Sequence, residues 1–503
     1  MYIGLMHIQN TTQSNQRHDR SDLVRLATTA MLEHGLAPQF PEGVVEELST
    51  ITVSPKEADP TIQDLTSLLW CSIDNNDSLD LDQLTVAEFD ADGGVKMRVA
   101  VADVDALVKK DSRLDLHARC NTTSIYTSGR IFPMLPPLLS TNLTSLNQGV
   151  DRLAIITEMH FKADGTISSS TVYRALVHNK AKLAYDEVAA WLEDPTLLPE
   201  SIAAIPGLED QIRGQDKLAQ QLRTRRHLSG ALRFETLQPR AIVEDDKIVA
   251  IVQQEQNRAR QLIEEMMIMT NSCNAQFLSK HAVVSLRRMV RSPERWQRIV
   301  EFAKTLGASL PEAPDPAALA SFLMERQKAD PLRFPDLSMV IIKLMGRGEY
   351  VAGSPEGNAL GHFGLAVQNY THSTAPNRRY PDLITSRQIK AVLAGIASPY
   401  SEADIVSIAL HCTQQQASAQ KVERQLRKSE AALLLESRIG QSFDAIVTGK
   451  ADGGMWVRTI APPVEGKLND GADSLKVGDT LRVTLVSTNF ERGFIDFRLA
   501  DER

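Results

Sequence analysis

Apolar positions along this chain change their spacing twice, and the changes divide it into three parts. Leu23, Leu26, Ala27, Ala30 and Met31 recur every three or four residues until Gly35, which is the pattern of one buried helix face followed by a stop. Val44, Val45 and Leu48 repeat that pattern after Pro41. Residues 1–57 therefore read as a small helical unit of helix-turn-helix type, behind a polar arm that ends near Arg20. From Asp64 the spacing shortens to strand-like runs, Met97–Val104, Leu153–Phe161 and Ser168–Val177, punctuated by Asp-Gly and proline signals. Helical stretches follow over Glu209–Leu232, Gln253–Ser279, Pro293–Leu306 and Ser418–Glu436, with Leu310–Ala318 as a surface loop. Residues 58–435 thus predict a mixed α/β body. In residues 436–503 five short β-type runs appear, Phe443–Thr448, Met455–Thr459, Val464–Leu468, Thr480–Ser487 and Phe494–Leu499. The Gly449–Gly454 turn and the Glu491-Arg492-Gly493 hairpin signal predict an OB-type barrel, a fold that binds single strands. The expected class is multidomain α+β.

Composition narrows the function. A net charge of −8 over 503 residues argues against a generally basic nucleic-acid coat, so any nucleic-acid contact must be local. Cys71, Cys120, Cys273 and Cys412 lie far apart with no zinc-type spacing, which points to free thiols in a reducing compartment. No apolar run has the length of a membrane span, and polar Asn10–Arg20 lacks a signal-peptide core. A cytoplasmic monomer with no membrane contact is expected.

Three segments carry candidate chemistry. Ile73–Gln83 places Asp74, Asp77, Asp80 and Asp82 directly after an apolar run. If Leu79–Gln83 is extended, Asp80 and Asp82 share a face, and Asp74 reaches the same point across the loop. Such a cluster suits magnesium, which takes one or two carboxylates plus substrate phosphates; a solvated turn capping its own backbone is the competing reading. His362–Arg387 combines hydroxyls with His372, Arg378, Arg379 and Arg387, and Pro376 fixes the turn that presents the arginines. Guanidinium forks bind phosphate oxygens, although each arginine alone is equally consistent with a structural ion pair. Cys120–Pro136 sets Tyr126 in a polar stretch before a rigid Pro-Met-Leu-Pro turn, where it could stack on a base or pack for stability. Arg223–Arg226 and Arg287, Arg288 and Arg291 could line a positive RNA channel or form solvated helix faces.

Taken in order, these segments resemble the ribonuclease II/R (RNB) family of exoribonucleases. The resemblance rests on the Ile73–Asp82 box, Val101-Ala-Asp-Val104, Ser124-Ile-Tyr126 with Pro133–Pro136, and Ser229-Gly-Ala-Leu232. It continues through Leu262–Met266 with Asn271, Phe363–Ala366, Tyr370-Thr-His372, Arg378-Arg-Tyr380 and Val422-Glu-Arg424. The terminal barrel is similar to the S1-like domain that follows in that family. The resemblance implies processive 3′-to-5′ hydrolysis of single-stranded RNA to nucleoside 5′-monophosphates with Mg2+, Mn2+ being an alternative, and it leaves open structured RNA with a 3′ overhang. Asp74, Asp80 and Asp82 match the metal-binding and catalytic carboxylates, and Arg378 the arginine at the scissile phosphate. Tyr126 matches the stacking aromatic and Glu423 a glutamate near the terminal nucleotide, with Arg379 beside Arg378 at the RNA, more as a support than as a catalytic group.

The chain departs from the family pattern at several points. Gln83 stands where the family has a second adjacent aspartate, so its amide would be a neutral metal ligand, and Asp77 would compensate only if the loop folds inward. Ser373, Ala375 and Asn377 replace an aromatic, a serine and an aliphatic residue. The N-terminal helical unit stands where the family carries two cold-shock barrels, from which a more open channel mouth is expected. Gln83 also supports an alternative, a catalytically impaired RNA-binding protein of the same fold, and a third reading is a nuclease for another phosphodiester such as single-stranded DNA.

Overall fold

A computed structural model of the chain describes residues 20–55, 59–236, 239–244, 247–253, 256–354, 361–451, 454–469 and 475–500. The polar arm before Arg20 and the centre of the Gly449–Gly454 turn lie outside them.

The body is a seven-stranded sheet. Its strands are β1 (Gln63–Asp64), β2 (Cys71–Asp74), β3 (Gln83–Phe89), β4 (Val95–Ala102), β7 (Asp151–Phe161), β8 (Ile167–His178) and β9 (Ala181–Ala184), in the order β1-β8-β7-β4-β3-β2-β9. Between β4 and β7 the chain makes a separate hairpin of β5 (Ile125–Tyr126) and β6 (Ile131–Phe132). The sheet is antiparallel except at its edges, where β1 runs parallel to β8 and β9 parallel to β2. The Asp-Gly signal after β7 is a true turn, because Gly165 takes a φ of 76° that a side chain would resist.

Both sheet faces are buried, as the near-continuous apolar run Val99-Ala100-Val101-Ala102 requires. One face, with Leu84, Val86, Ala100 and Ile156, packs against α3 (Arg113–Asn121), α11 (Tyr380–Leu393) and the first half of α12 (Glu402–Glu436). The other, with Cys71, Ile73, Val99 and Val101, packs against α4 (Tyr185–Glu193), α5 (Glu200–Ala203), α6 (Leu208–Leu228) and α7 (Arg258–Lys280). Three shorter helices, α8 (Trp296–Thr305), α9 (Pro316–Ala329) and α10 (Phe334–Met345), form their own core around Phe322 and Phe334. The expected loop over Leu310–Ala318 is cut short by α9, whose start is capped by the Asp315 carboxylate accepting from the Ala317 and Ala318 amides.

The C-terminal expectation holds. Five strands, β10 (Ser442–Ala451), β11 (Gly454–Thr459), β12 (Glu465–Leu468), β13 (Thr480–Asn489) and β14 (Phe494–Leu499), close a barrel in the order β10-β11-β12-β14-β13. Helix α12 is 35 residues long and begins at Glu402, well ahead of the predicted Ser418–Glu436 stretch. It starts at a Ser401–Asp404 capping box, buries Ile405, Ile408 and Cys412 in the body, and ends with Ala432 and Leu435 in the barrel core.

The N-terminal pattern yields the two expected helices, α1 (Arg20–Glu33) and α2 (Glu42–Ser49), and each packs on the body. Leu23, Leu26, Ala27, Ala30 and Met31 of α1 are buried against Ile125, Phe132, Ala419 and Val422, while Val44 of α2 joins the main core. A 14-residue helix with one apolar face has too little surface to form a core with an eight-residue neighbour, so both use the α/β body.

Arg387 shows what ties the body together. Its guanidinium, 3 % exposed, donates to Asp105 (2.8 Å), Asp115 (2.7 Å), the Tyr400 hydroxyl (2.8 Å) and the Val108 carbonyl (2.7 Å). Arg387→Ala would leave the buried Asp115 carboxylate without its cation, while Asp105 would keep Lys390 (2.9 Å). We expect a loss of about 3–5 kcal/mol, read as a lowered thermal unfolding midpoint; a midpoint equal to that of the unsubstituted chain would contradict this role.

Candidate active site

A backbone ladder assembles the site. Helix α3 ends at Thr122 in the left-handed region (φ 59°), which turns the chain so that Thr123 bridges Arg379 antiparallel. The Tyr380 amide donates to the Thr122 carbonyl (2.9 Å) and the Ser124 amide to the Arg378 carbonyl (3.0 Å). Tyr126 and Arg378, 252 positions apart in sequence, are thereby neighbours.

The acidic loop meets them from the sheet. Asp82 is 1 % exposed and accepts from the Asn377 amide (2.9 Å) and from Arg378 Nε (3.0 Å). Burial pushes the Asp82 carboxyl up to about 7 despite that guanidinium, and the neighbouring Asp80 charge pushes the same way. Burial opposes the charge on Arg378 too, but Asp82, Tyr126, Asp80 and Asp74 together hold its pKa above the ordinary arginine value. The Arg378 side chain remains 40 % exposed, and among the described residues its terminal nitrogens have no protein partner. They are free for an anion.

Asp80 Oδ2 accepts from the Tyr126 hydroxyl at 3.0 Å. Asp74 Oδ1 accepts from the Asn75 amide (2.7 Å) and the Ser78 hydroxyl (3.0 Å), so the turn-capping reading of this loop is also correct for Asp74. Burial raises the Asp74 carboxyl as well. Asp77 is exposed at the loop tip, so the inward folding that would let it compensate for Gln83 does not occur.

Gln83 opens β3 and pairs with Val101, on the face lined by Val99 and Val101. The pairing of β2 with β3 is at Cys71 and Thr85, two residues along β3 from Gln83. Glu423, on α12, accepts from the Tyr126 amide (3.3 Å), which places it behind the tyrosine. Arg379 is directed inward: Nη2 donates to the fully buried Asp382 (2.7 Å), and Asp382 also accepts from the Thr374 and Ala375 amides to shape the arginine turn.

Of the basic stretches read as RNA-channel candidates, Arg225 stays half exposed on its helix face with Asp164 at 4.0 Å, and four others turn to protein partners. Arg226 pairs with buried Glu265 (2.5 Å), Arg287 is 2 % exposed, Arg288 stacks on the Tyr350 ring at 4.8 Å, and Arg291 pairs with Glu349. His372, which burial holds well below the ordinary histidine range, accepts or donates to the Tyr350 hydroxyl (2.8 Å) as part of the same packing.

Two residues escaped the sequence reading. The Ser145 hydroxyl donates to the Leu79 carbonyl (2.8 Å) and accepts from the Leu81 amide (2.9 Å), bracketing Asp80. The preceding Thr144 hydroxyl donates to Asn377 Oδ1 (2.6 Å), beside Arg378. Thr144-Ser145 thus staples the acidic loop to the arginine turn, and its only sequence signal is a hydroxyl pair between Leu143 and Leu146, both buried.

Asp74, Asp80 and Asp82 offer hard oxygen ligands, and Gln83 an amide oxygen, which suits Mg2+ or Mn2+. Among the described residues no three acidic, histidine or cysteine side chains are already arranged as a cage. Magnesium fits such a partial set, because it keeps waters and takes substrate oxygens for the rest of its shell.

The RNB domain model matches residues 62–395, and the model of the RNase II-type exonuclease C-terminal S1 domain matches residues 441–500. Ribonuclease R of Vibrio parahaemolyticus is 28 % identical over 94 % of this chain and 60 % of its own length, and ribonuclease R of Thermotoga maritima is 29 % identical over 92 % and 68 %. The chain therefore spans about six tenths of the Vibrio relative. The structure of Mycoplasma genitalium RNase R in complex with ribose methylated single-stranded RNA superposes with a TM-score of 0.86 at 22 % identity, covering 95 % of this chain and 78 % of that one. That likeness is one of fold.

Ser145→Ala would leave the Leu79 carbonyl and Leu81 amide without their shared partner. We expect a loss of about 1–3 kcal/mol, measured by urea unfolding, and an unchanged unfolding midpoint would mean the staple is not needed.

Proposed function

The chain belongs to the RNB family, and we propose that it is a processive 3′-to-5′ exoribonuclease that hydrolyses single-stranded RNA to nucleoside 5′-monophosphates. The observation that carries this reading is the convergence on Arg378 of Asp82 and the Tyr126–Asp80 pair, with free guanidinium nitrogens facing outward. An arginine held by a buried carboxylate is pre-oriented, so it can receive a phosphate and stabilise charge on its non-bridging oxygens without reorganising.

Tyr126, 43 % exposed, offers a ring on which the terminal base stacks whatever its identity. Its hydroxyl bond to Asp80 links the position of that base to the carboxylates. Asp74, Asp80 and Asp82, with Gln83, would hold Mg2+ or Mn2+. Bound there, the ion would supply Lewis-acid polarisation of the phosphoryl group and an activated water. Glu423 fixes the tyrosine backbone from behind, which supports a role near the terminal nucleotide through Tyr126. Arg379 supports the turn that carries Arg378. The C-terminal barrel is proposed to grip single-stranded RNA upstream of the site. A monomer is proposed as the working state.

Gln83 favours one competing reading, an RNA-binding chain that no longer cleaves. Incubating the purified protein with 5′-labelled single-stranded RNA or DNA, with magnesium or EDTA, separates the two. We expect shortening of RNA with magnesium only, and Asp82→Asn lowering the rate by at least about a hundredfold; binding without shortening would instead support the competing reading. In the same assay Gln83→Asp should lower the magnesium concentration for half-maximal rate severalfold, because ligand charge tunes divalent-cation affinity. An unchanged titration would remove Gln83 from the metal shell.

A further inference from the structure

Helix α12 carries a second acid that faces the Tyr126 hairpin. Glu430 lies seven residues, two helical turns, beyond Glu423, so both are on one face about 10 Å apart along the axis. Glu430 is 5 % exposed, and its Oε1 accepts from both the amide (3.3 Å) and the hydroxyl of Ser128. No cation forms an ion pair with it among the described residues. Burying a carboxylate without a countercharge is costly, and among the described residues the hydrogen bonds of Glu430 all go to one hairpin residue.

The hairpin is closed from its other side by α1. Arg20 Nε donates to the Gly129 carbonyl (3.0 Å), and a Cβ on Gly129 would stand 3.1 Å from Leu23 Cβ and 3.2 Å from the Val24 amide nitrogen. The loop from Tyr126 to Ile131 is therefore held between two helices and anchored by carboxylates at residues 126 and 128. Only Tyr126 on this loop also reaches the acidic site.

We propose that Glu430 is a positioning residue for Tyr126: through Ser128 it locks the β5–β6 hairpin onto α12, so that the ring keeps the orientation in which its hydroxyl meets Asp80. Because α12 continues into the core of the barrel, Glu430 also joins the stacking platform to the element that carries the RNA-gripping domain. The inference rests on the proposed stacking role of Tyr126.

The test is a double-substitution cycle on a short 5′-labelled RNA, using Glu430→Ala with and without Tyr126→Ala, and Glu430→Gln as the conservative control. We expect Glu430→Ala to raise KM on the order of tenfold, with a smaller effect on kcat, when Tyr126 is present, and to do little when Tyr126 is already alanine. Glu430→Gln should restore near-normal KM, because its amide oxygen still accepts from Ser128. Additive effects in the two backgrounds, or an unchanged KM, would overturn the proposal by leaving Glu430 a purely structural acid. If Glu430→Ala does not fold, Ser128→Ala takes its place in the same cycle. Should the unsubstituted chain not shorten RNA, the activity reading fails on its own, and the same cycle read as Kd for that RNA still decides the role of Glu430.

Discussion

The site depends on one buried charge. Asp82, almost without solvent exposure, sits in an environment that favours its neutral form, and the Arg378 guanidinium, the Asn377 amide and the Arg379 charge oppose that. The pairing is reciprocal, since Arg378 is held cationic and aimed by the same contact. Everything that sets the separation of the acidic loop from the arginine turn serves this pair: the 122–124 ladder, the Thr144-Ser145 staple and the Asp382 carboxylate under the turn. Low dielectric makes such a pair strong when complete and damaging when broken.

Helix α12 is the spine on which that assembly hangs. It touches the body core at its start, α1 and the Tyr126 hairpin at its middle, and the barrel at its end. The long helix therefore relates the site proposed to hold the reacting end of a strand to the domain proposed to hold the strand upstream. The two N-terminal helices take part in the same arrangement, with α1 covering the back of the hairpin.

The arginines show why residue type does not assign function. Arg226, Arg287, Arg288, Arg379 and Arg387 have the same guanidinium as Arg378, yet each is bound to internal acceptors or rings. What distinguishes Arg378 is that one nitrogen is anchored and the others face out. An acidic chain can thus offer a local positive site without a basic surface.

How much was legible in the sequence varies with the range of the interactions involved. Short β-type runs between turn signals located β4, β7, β8 and the barrel strands, and the Leu23–Met31 face located α1, because such patterns are dictated by local geometry and burial. The ordered motifs likewise brought Asp74, Asp80, Asp82, Tyr126 and Arg378 together as candidates. Spacing carries no information on partners hundreds of residues away, so the sequence left open whether an arginine was anchored inward or aimed outward. It was also silent on the first half of α12, on the Thr144-Ser145 staple and on Glu430 behind Ser128. Those depend on which buried polar groups meet once the sheet is covered, and only the tertiary structure decides that, because a desolvated donor or acceptor must find its partner wherever the fold brings one.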